Sequence, residues 1–134
     1  LARTHLATVD RYTDFSRALV DSLRVAGATL VPAPADATAV VEILEDESVR
    51  SVLSVSARNT PREYEIRYTV RYRVRAGDAE LLAPQVLTLT RDYSFDETAL
   101  LAKEREQELL REALARELAA LVMRRLAALP VPAT

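Results

Sequence analysis

The sequence predicts an α+β fold: a two-layer sandwich in which a mostly antiparallel four-stranded sheet carries two helices packed on one face. Three observations lead there. Residues 64–75 alternate strictly between apolar and polar side chains, as a strand does when one face is buried and the other is wet. The last third of the chain is dominated by Ala, Leu, Glu and Arg, strong helix formers. A shorter helical stripe near the start, preceded by a β-leaning stretch, completes the order β-α-β-β-β-α. At 134 residues the chain has the usual size of one compact domain, so a single domain over 1–134 is expected.

The first element, Thr4–Val9, reads as a short strand. Thr13 or Asp14 can cap the helix that follows, in which Phe15, Leu19, Leu23 and Ala26 form one apolar stripe. Gly27 is placed to end it in the left-handed region, and Pro32 and Pro34 punctuate the loop to about Asp36. From Thr38 the period shortens to two. Ala39, Val41 and Ile43 share a face, and alternation resumes at Val49, Leu53, Val55 and Ala57; the segment is long for one strand, so a bulge or break is expected near Asp46–Ser48. After the turn Asn59-Thr60-Pro61 come Tyr64, Ile66, Tyr68, Val70, Tyr72 and Val74 on one face. Glu65, Arg67, Thr69, Arg71, Arg73 and Arg75 take the other. Ala76-Gly77-Asp78 opens a loop to a third antiparallel strand, with Leu87, Leu89, Tyr93 and Phe95 on one face and Arg91 at the sheet's rim. Ser94 with Glu97 fits a capping box and Asp96 competes as the cap of the long helix. That helix is expected to run to about Leu129, burying Leu110, Leu114, Leu118, Leu121, Val122 and Leu129 with Leu126 at the margin.

Composition narrows the function. Eighteen Lys+Arg against twenty Asp+Glu give a net charge of −2, which lacks the cationic balance that nucleic-acid binding normally needs. The tyrosines of residues 64–72 also point away from the arginine face, where base-stacking aromatics would have to interleave. Without cysteine there is no disulfide framework, thiol catalysis or Cys-type zinc site. The single histidine, His5, does not supply a triad or a His-rich metal site. A Gly-rich phosphate loop, a nucleophile elbow and an HExxH motif are all missing, so no catalytic residue, metal or cofactor is assigned. The carboxylates Glu104, Glu108 and Glu112 follow the spacing of a solvated helix edge.

Cations are the informative feature. Lys103, the only lysine, falls roughly 20° from Leu110 and about in line with Leu121 at about 100° per residue, which places it on the apolar stripe. Its stem can pack at the core edge with the ammonium reaching water. The β-meander returns the chain to the end of the sheet marked by Arg58. There Arg58, Arg62 and Lys103 gather beside apolar side chains, an arrangement suited to an amphipathic anion whose phosphates Arg would bind through its planar fork. The arginine face of residues 67–75 has three readings: a solvated surface, a protein interface, or an extension of the anion site.

The order of short motifs resembles the LptE family. They are Arg58-Asn59, Glu63-Tyr64-Glu65-Ile66, Arg91-Asp92-Tyr93-Ser94-Phe95-Asp96, Leu101-Ala102-Lys103-Glu104-Arg105-Glu106 and a helix ending Arg124-Arg125-Leu126. Upstream, Tyr12 and Phe15-Ser16-Arg17-Ala18-Leu19 resemble the family's first helix. The resemblance implies a lipoprotein subunit of outer-membrane lipopolysaccharide assembly, non-catalytic, facing the periplasm and plugging the lumen of the LptD β-barrel. It also implies a lipidated N-terminal cysteine, expected upstream of Leu1 since this sequence has none. By position the family's lipopolysaccharide-binding basic residues correspond to Arg58 and Lys103, whereas Arg62 rests on topology alone. Because barrel interiors are polar, Arg67, Arg71 and Arg73 are expected to face the barrel wall. The alternative is a periplasmic lipoprotein adaptor or activator of another envelope complex, with no lipid ligand.

Overall fold

The elements follow from residue pattern, with two corrections to the sheet and smaller ones elsewhere. The computed structural model describes residues 3–58, 61–94 and 100–129, without the side chains of 61–62 and 100–103. We number the strands β1 (Arg3–Ala7), β2 (Thr29–Leu30), β3 (Ala39–Val55), β4 (Pro61–Ala76) and β5 (Ala79–Ser94), and the helices α1 (Asp14–Val25) and α2 (Leu100–Ala127). The sheet has five strands in the order β2-β1-β3-β4-β5 and is mixed rather than four-stranded. β1 runs parallel to both β2 and β3, while β3, β4 and β5 form the expected antiparallel meander. The extra strand is only two residues long, too short to show periodicity. It forms because α1 ends sharply: Gly27 takes φ +92°, reversing the chain so that Thr29 and Leu30 pair with Arg3 and Thr4.

The second correction concerns β3. Its register slips between Ile43 and Glu45, ahead of the expected Asp46–Ser48, and again between Val52 and Val55. The extra residue at Leu44 inverts the strand's alternation. Val41 and Ile43 pair with Val74 and Tyr72 on the helix-covered face. Beyond the bulge it is Asp46, Ser48, Arg50 and Val52 that pair with Val70, Tyr68, Ile66 and Tyr64 on that face. Val49 therefore stands opposite Arg67 on the uncovered face, and Val49, Leu53 and Val55 are all about half exposed rather than buried.

The core lies between the sheet and both helices. Phe15, Leu19 and Leu23 of α1 meet Leu114, Leu118, Val122 and Leu126 of α2 over Ile66, Tyr68, Val70, Tyr72 and Val74 of β4. Leu126 is thus a core residue, whereas Leu121 is only partly buried. Thr13 caps α1, its hydroxyl accepting the Ser16 N–H at 3.0 Å. β5 keeps Ser94 as its last residue, and α2 is described from Leu100. The capping roles expected of Asp96 and Glu97 lie outside the described residues. Gly77, at φ +60°, and Asp78 make a two-residue hairpin between Ala76 and Ala79, so β5 begins well before the expected third strand. Arg91 is on this edge strand and reaches Glu117 of α2 at 2.6 Å, at the rim as expected. His5 is structural: its Nδ1 lies 2.9 Å from the Val31 carbonyl oxygen.

Candidate functional site

The residues expected to act fall in two regions: the end of the sheet at the β3–β4 turn, and the face opposite the helices.

At the turn end, β3 stops at Val55 and β4 starts at Pro61, so Arg58 lies in the connection and Arg62 is the second residue of β4. Arg58 is exposed, and its N–H donates to Ser56 Oγ at 3.2 Å. Ser94 pairs with Glu63, which brings the end of β5 beside the start of β4. Lys103 is the fourth residue of α2. One turn later, Gln107 accepts a hydrogen bond from Arg50 Nη1 at 3.1 Å, tying the beginning of the helix to the distal half of β3. The side chains of Arg62 and Lys103 lie outside the described set.

Sequence reasoning missed Arg50. Its guanidinium carbon sits 4.8 Å from the centroid of the Tyr64 ring, and Tyr64 stacks on Tyr93 with centroids 5.3 Å apart and planes 19° from parallel. Arg50 faces inward only because of the bulge at Leu44. A single uninterrupted alternation from Val41 and Ile43 would have put it on the other face.

The same inversion turns Asp46 toward α1. Tyr68 donates to Asp46 Oδ1 at 2.7 Å, Thr13 Oγ1 donates to Oδ2, and the Phe15 N–H donates to the Tyr68 hydroxyl at 3.1 Å. A carboxylate is thereby fixed beside the helix N-terminus, where the dipole favours negative charge. Burial and the neighbouring carboxylate hold the Tyr68 hydroxyl well above the usual phenol range. Arg111 of α2 adds a second tie, its Nε 2.6 Å from Asp14 Oδ2, which raises the Arg111 pKa further. These contacts tie the helices to the sheet and to each other.

On the uncovered face, Glu42 accepts from Arg73 Nε at 2.8 Å and from Arg75 Nε at 2.6 Å. The two guanidinium groups, Arg73 first, hold the Glu42 carboxyl below its usual range. Arg67 meets Glu65 at 3.2 Å and remains exposed. Arg71, also exposed, stands between Glu45 on β3 and Val86 on β5. Thr69 and Thr88 link their hydroxyls across β4 and β5 at 3.2 Å. The face is therefore mixed rather than uniformly cationic: paired charges and hydroxyls stand beside the exposed Val49 and Val86, and Arg73 shares Glu42 with Arg75. Among the described residues no group of three His, Cys, Asp or Glu side chains converges as a metal site, and no helix is long and apolar enough to cross a membrane.

None of the curated proteins matches the chain. Solved structures do. Rare lipoprotein B from Shewanella oneidensis is 29% identical over 94% of both chains, with a TM-score of 0.79. An uncharacterised lipoprotein B from Nitrosomonas europaea, 24% identical over 94% of this chain and 82% of its own, has the same fold at a TM-score of 0.81. So does a minor lipoprotein from Acinetobacter baumannii, 22% identical over 99% of this chain and 97% of its own, at 0.77. The family model for lipopolysaccharide assembly, LptE, matches residues 1–126, nearly the whole length over which the fold and both candidate regions are built. The chain belongs to the LptE family of lipopolysaccharide-assembly proteins.

Proposed function

We propose that this chain is a non-catalytic subunit that binds lipopolysaccharide and plugs an LptD-type barrel, held at the outer membrane and facing the periplasm by an N-terminal lipid. The family match over residues 1–126 is the observation that carries this reading. The whole of 1–134 acts as one domain in it. Arg58, Arg62 and Lys103 bind phosphate or inner-core carboxylate groups at the turn end of the sheet. Arg67, Arg71 and Arg73 belong to the face presented to the barrel lumen.

Two features of the fold support the division of labour. The turn end combines an exposed Arg58 with half-exposed Val52, Leu53 and Val55, so charge and apolar surface adjoin as an amphipathic anion requires. The uncovered face offers paired charges and threonine hydroxyls, groups that can exchange hydrogen bonds with a polar barrel interior. Arg71, and Arg67 with its longer 3.2 Å contact to Glu65, have most to give there, because Glu42 holds Arg73 and Arg75 at 2.8 and 2.6 Å.

Charge reversal separates the two roles. Arg58→Glu with Lys103→Glu should weaken capture of purified lipopolysaccharide by tenfold or more, at about 1–2 kcal/mol per charge-assisted contact, and leave the thermal transition nearly in place. Arg67→Glu with Arg71→Glu should instead reduce co-purification with the barrel. Full lipopolysaccharide binding by the first double variant would refute the anion site, and unchanged co-purification by the second would refute the interface. Absence of lipopolysaccharide binding by the unaltered chain would favour an adaptor role without a lipid ligand.

A further inference from the structure

We infer that Arg50 is an anion-binding residue, the guanidinium that receives a phosphoryl or carboxylate group of an acylated ligand at the distal half of β3. The inference rests on the lipopolysaccharide reading for the source of the anion, and on the geometry of Arg50 for its chemistry.

Arg50 is held in place without being neutralised by any described carboxylate. Tyr64 supports its guanidinium from one side at 4.8 Å, with Tyr93 stacked beneath, and Gln107 accepts from Nη1 at 3.1 Å. Both partners are uncharged. Among the described residues no carboxylate lies within ion-pairing distance of Arg50, whereas Arg17, Arg73, Arg91 and Arg111 each face one at 2.6–2.8 Å. A flexible arginine would lose rotamer freedom on meeting a ligand, and a salt-bridged one would first have to give up its carboxylate. Arg50 escapes both costs: its orientation is set and no carboxylate among the described residues compensates its charge.

Access and surroundings agree with this role. Arg50 is exposed. β1 pairs with β3 only as far as Glu42, so among the described residues the strand edge beyond Ile43 has no paired strand on that side. The next inward position on β3 is Val52, half exposed, and Leu53 and Val55 follow with similar exposure. An anion seated on the Arg50 fork would thus have apolar ground beside it for an acyl chain. Lys103 stands one helical turn before Gln107 in α2. Arg50 therefore belongs to the same end of the molecule as Arg58, and it extends the anion site from the turn onto the body of the sheet.

The test uses the full chain with three probes: purified lipopolysaccharide, a lipid-free phosphorylated core oligosaccharide, and inorganic phosphate. Arg50→Gln should weaken lipopolysaccharide binding about tenfold, and Arg50→Lys should recover only part of it, because an ammonium lacks the bidentate fork. Gln107→Ala, which frees the guanidinium but keeps its charge, should weaken binding less than Arg50→Gln. In the unaltered chain, phosphate should shift the Arg50 Nε–H resonance at millimolar concentration, and the core oligosaccharide should do so more strongly if the headgroup is the source. Lipopolysaccharide binding unchanged by a folded Arg50→Gln would overturn the inference while the Arg58 and Lys103 reading stood. If the unaltered chain fails to bind lipopolysaccharide, the proposed function falls, and the Arg50 resonance decides separately: a phosphate-dependent shift upholds the anion site and a silent resonance removes it. Should Arg50→Gln not fold, the same resonance decides.

Discussion

Two buried tyrosines on β4 provide a paired test of what fixes the helices over the sheet. Tyr68 and Tyr72 are both inward-facing, four residues apart, and nearly or fully buried. Their hydroxyls differ. That of Tyr68 donates to the Asp46 carboxylate at 2.7 Å and accepts the Phe15 N–H at 3.1 Å, one of the amide donors that the start of α1 leaves unsatisfied. That of Tyr72 makes no hydrogen bond of ordinary geometry among the described residues. Burial raises the Tyr72 pKa, with the Arg125 guanidinium offsetting part of the rise. Tyr68→Phe removes a hydrogen bond to a charged group and orphans a buried amide, a loss of about 2–3 kcal/mol. For a domain of this size that lowers Tm by roughly 6–12 °C. Tyr72→Phe removes a hydroxyl whose neighbour, the Arg125 guanidinium, lies outside ordinary hydrogen-bond geometry, so its stability should stay within about 0.5 kcal/mol of the parent or rise. Urea titrations followed by circular dichroism measure both, with equal m-values showing that only stability changed. If Tyr72→Phe cost as much as Tyr68→Phe, the role given to the Asp46–Tyr68–α1 contact would be wrong.

Leu118→Ala, at the fully buried centre of α2, should cost about 2–5 kcal/mol in the same titration, while Leu109→Ala, half exposed on that helix, should cost less than 1 kcal/mol. The Glu42 carboxyl, held down by Arg73 and Arg75, predicts a pH dependence. Its folded pKa lies below the ordinary 4.5, so its stabilising contribution is present above that value and disappears as pH falls through the depressed one. The stability gap between the parent and Glu42→Gln should therefore be widest near neutrality and close on acidification below pH 4.5, and a gap that persisted unchanged below the folded pKa would contradict the assignment.

Most of the architecture was legible because its periods were clean. The alternation of Tyr64 to Val74 identified both faces of β4, and Thr13 and Gly27 marked the two ends of α1 through cap chemistry that is local in sequence. β2 was not legible, since two residues carry no period and their pairing with β1 depends on where α1 delivers the chain. β3 misled at its distal half because a bulge leaves no compositional mark of its own. The apolar Val49, Leu53 and Val55 suggested a buried face that the register does not provide. That one displacement also hid Arg50 and Asp46, whose inward orientation follows from the pairing alone. Arg58 and Lys103 came from topology and family motif together, neither of which depends on the frame of β3.

The inserted Leu44 gives β3 two frames, and so two rules of substitution along one strand. Up to Ile43 the odd positions Val41 and Ile43 are buried on the helix side; past the slip, as far as Val52, it is the even positions that take that side and the odd ones that stand on the uncovered face. Removing Leu44 would rejoin the frames, turning Val49 to the helix side and Asp46 and Arg50 to the uncovered face. One residue of surplus chain thus lets this strand serve a packed interior with its first half and a charged, accessible end with its second.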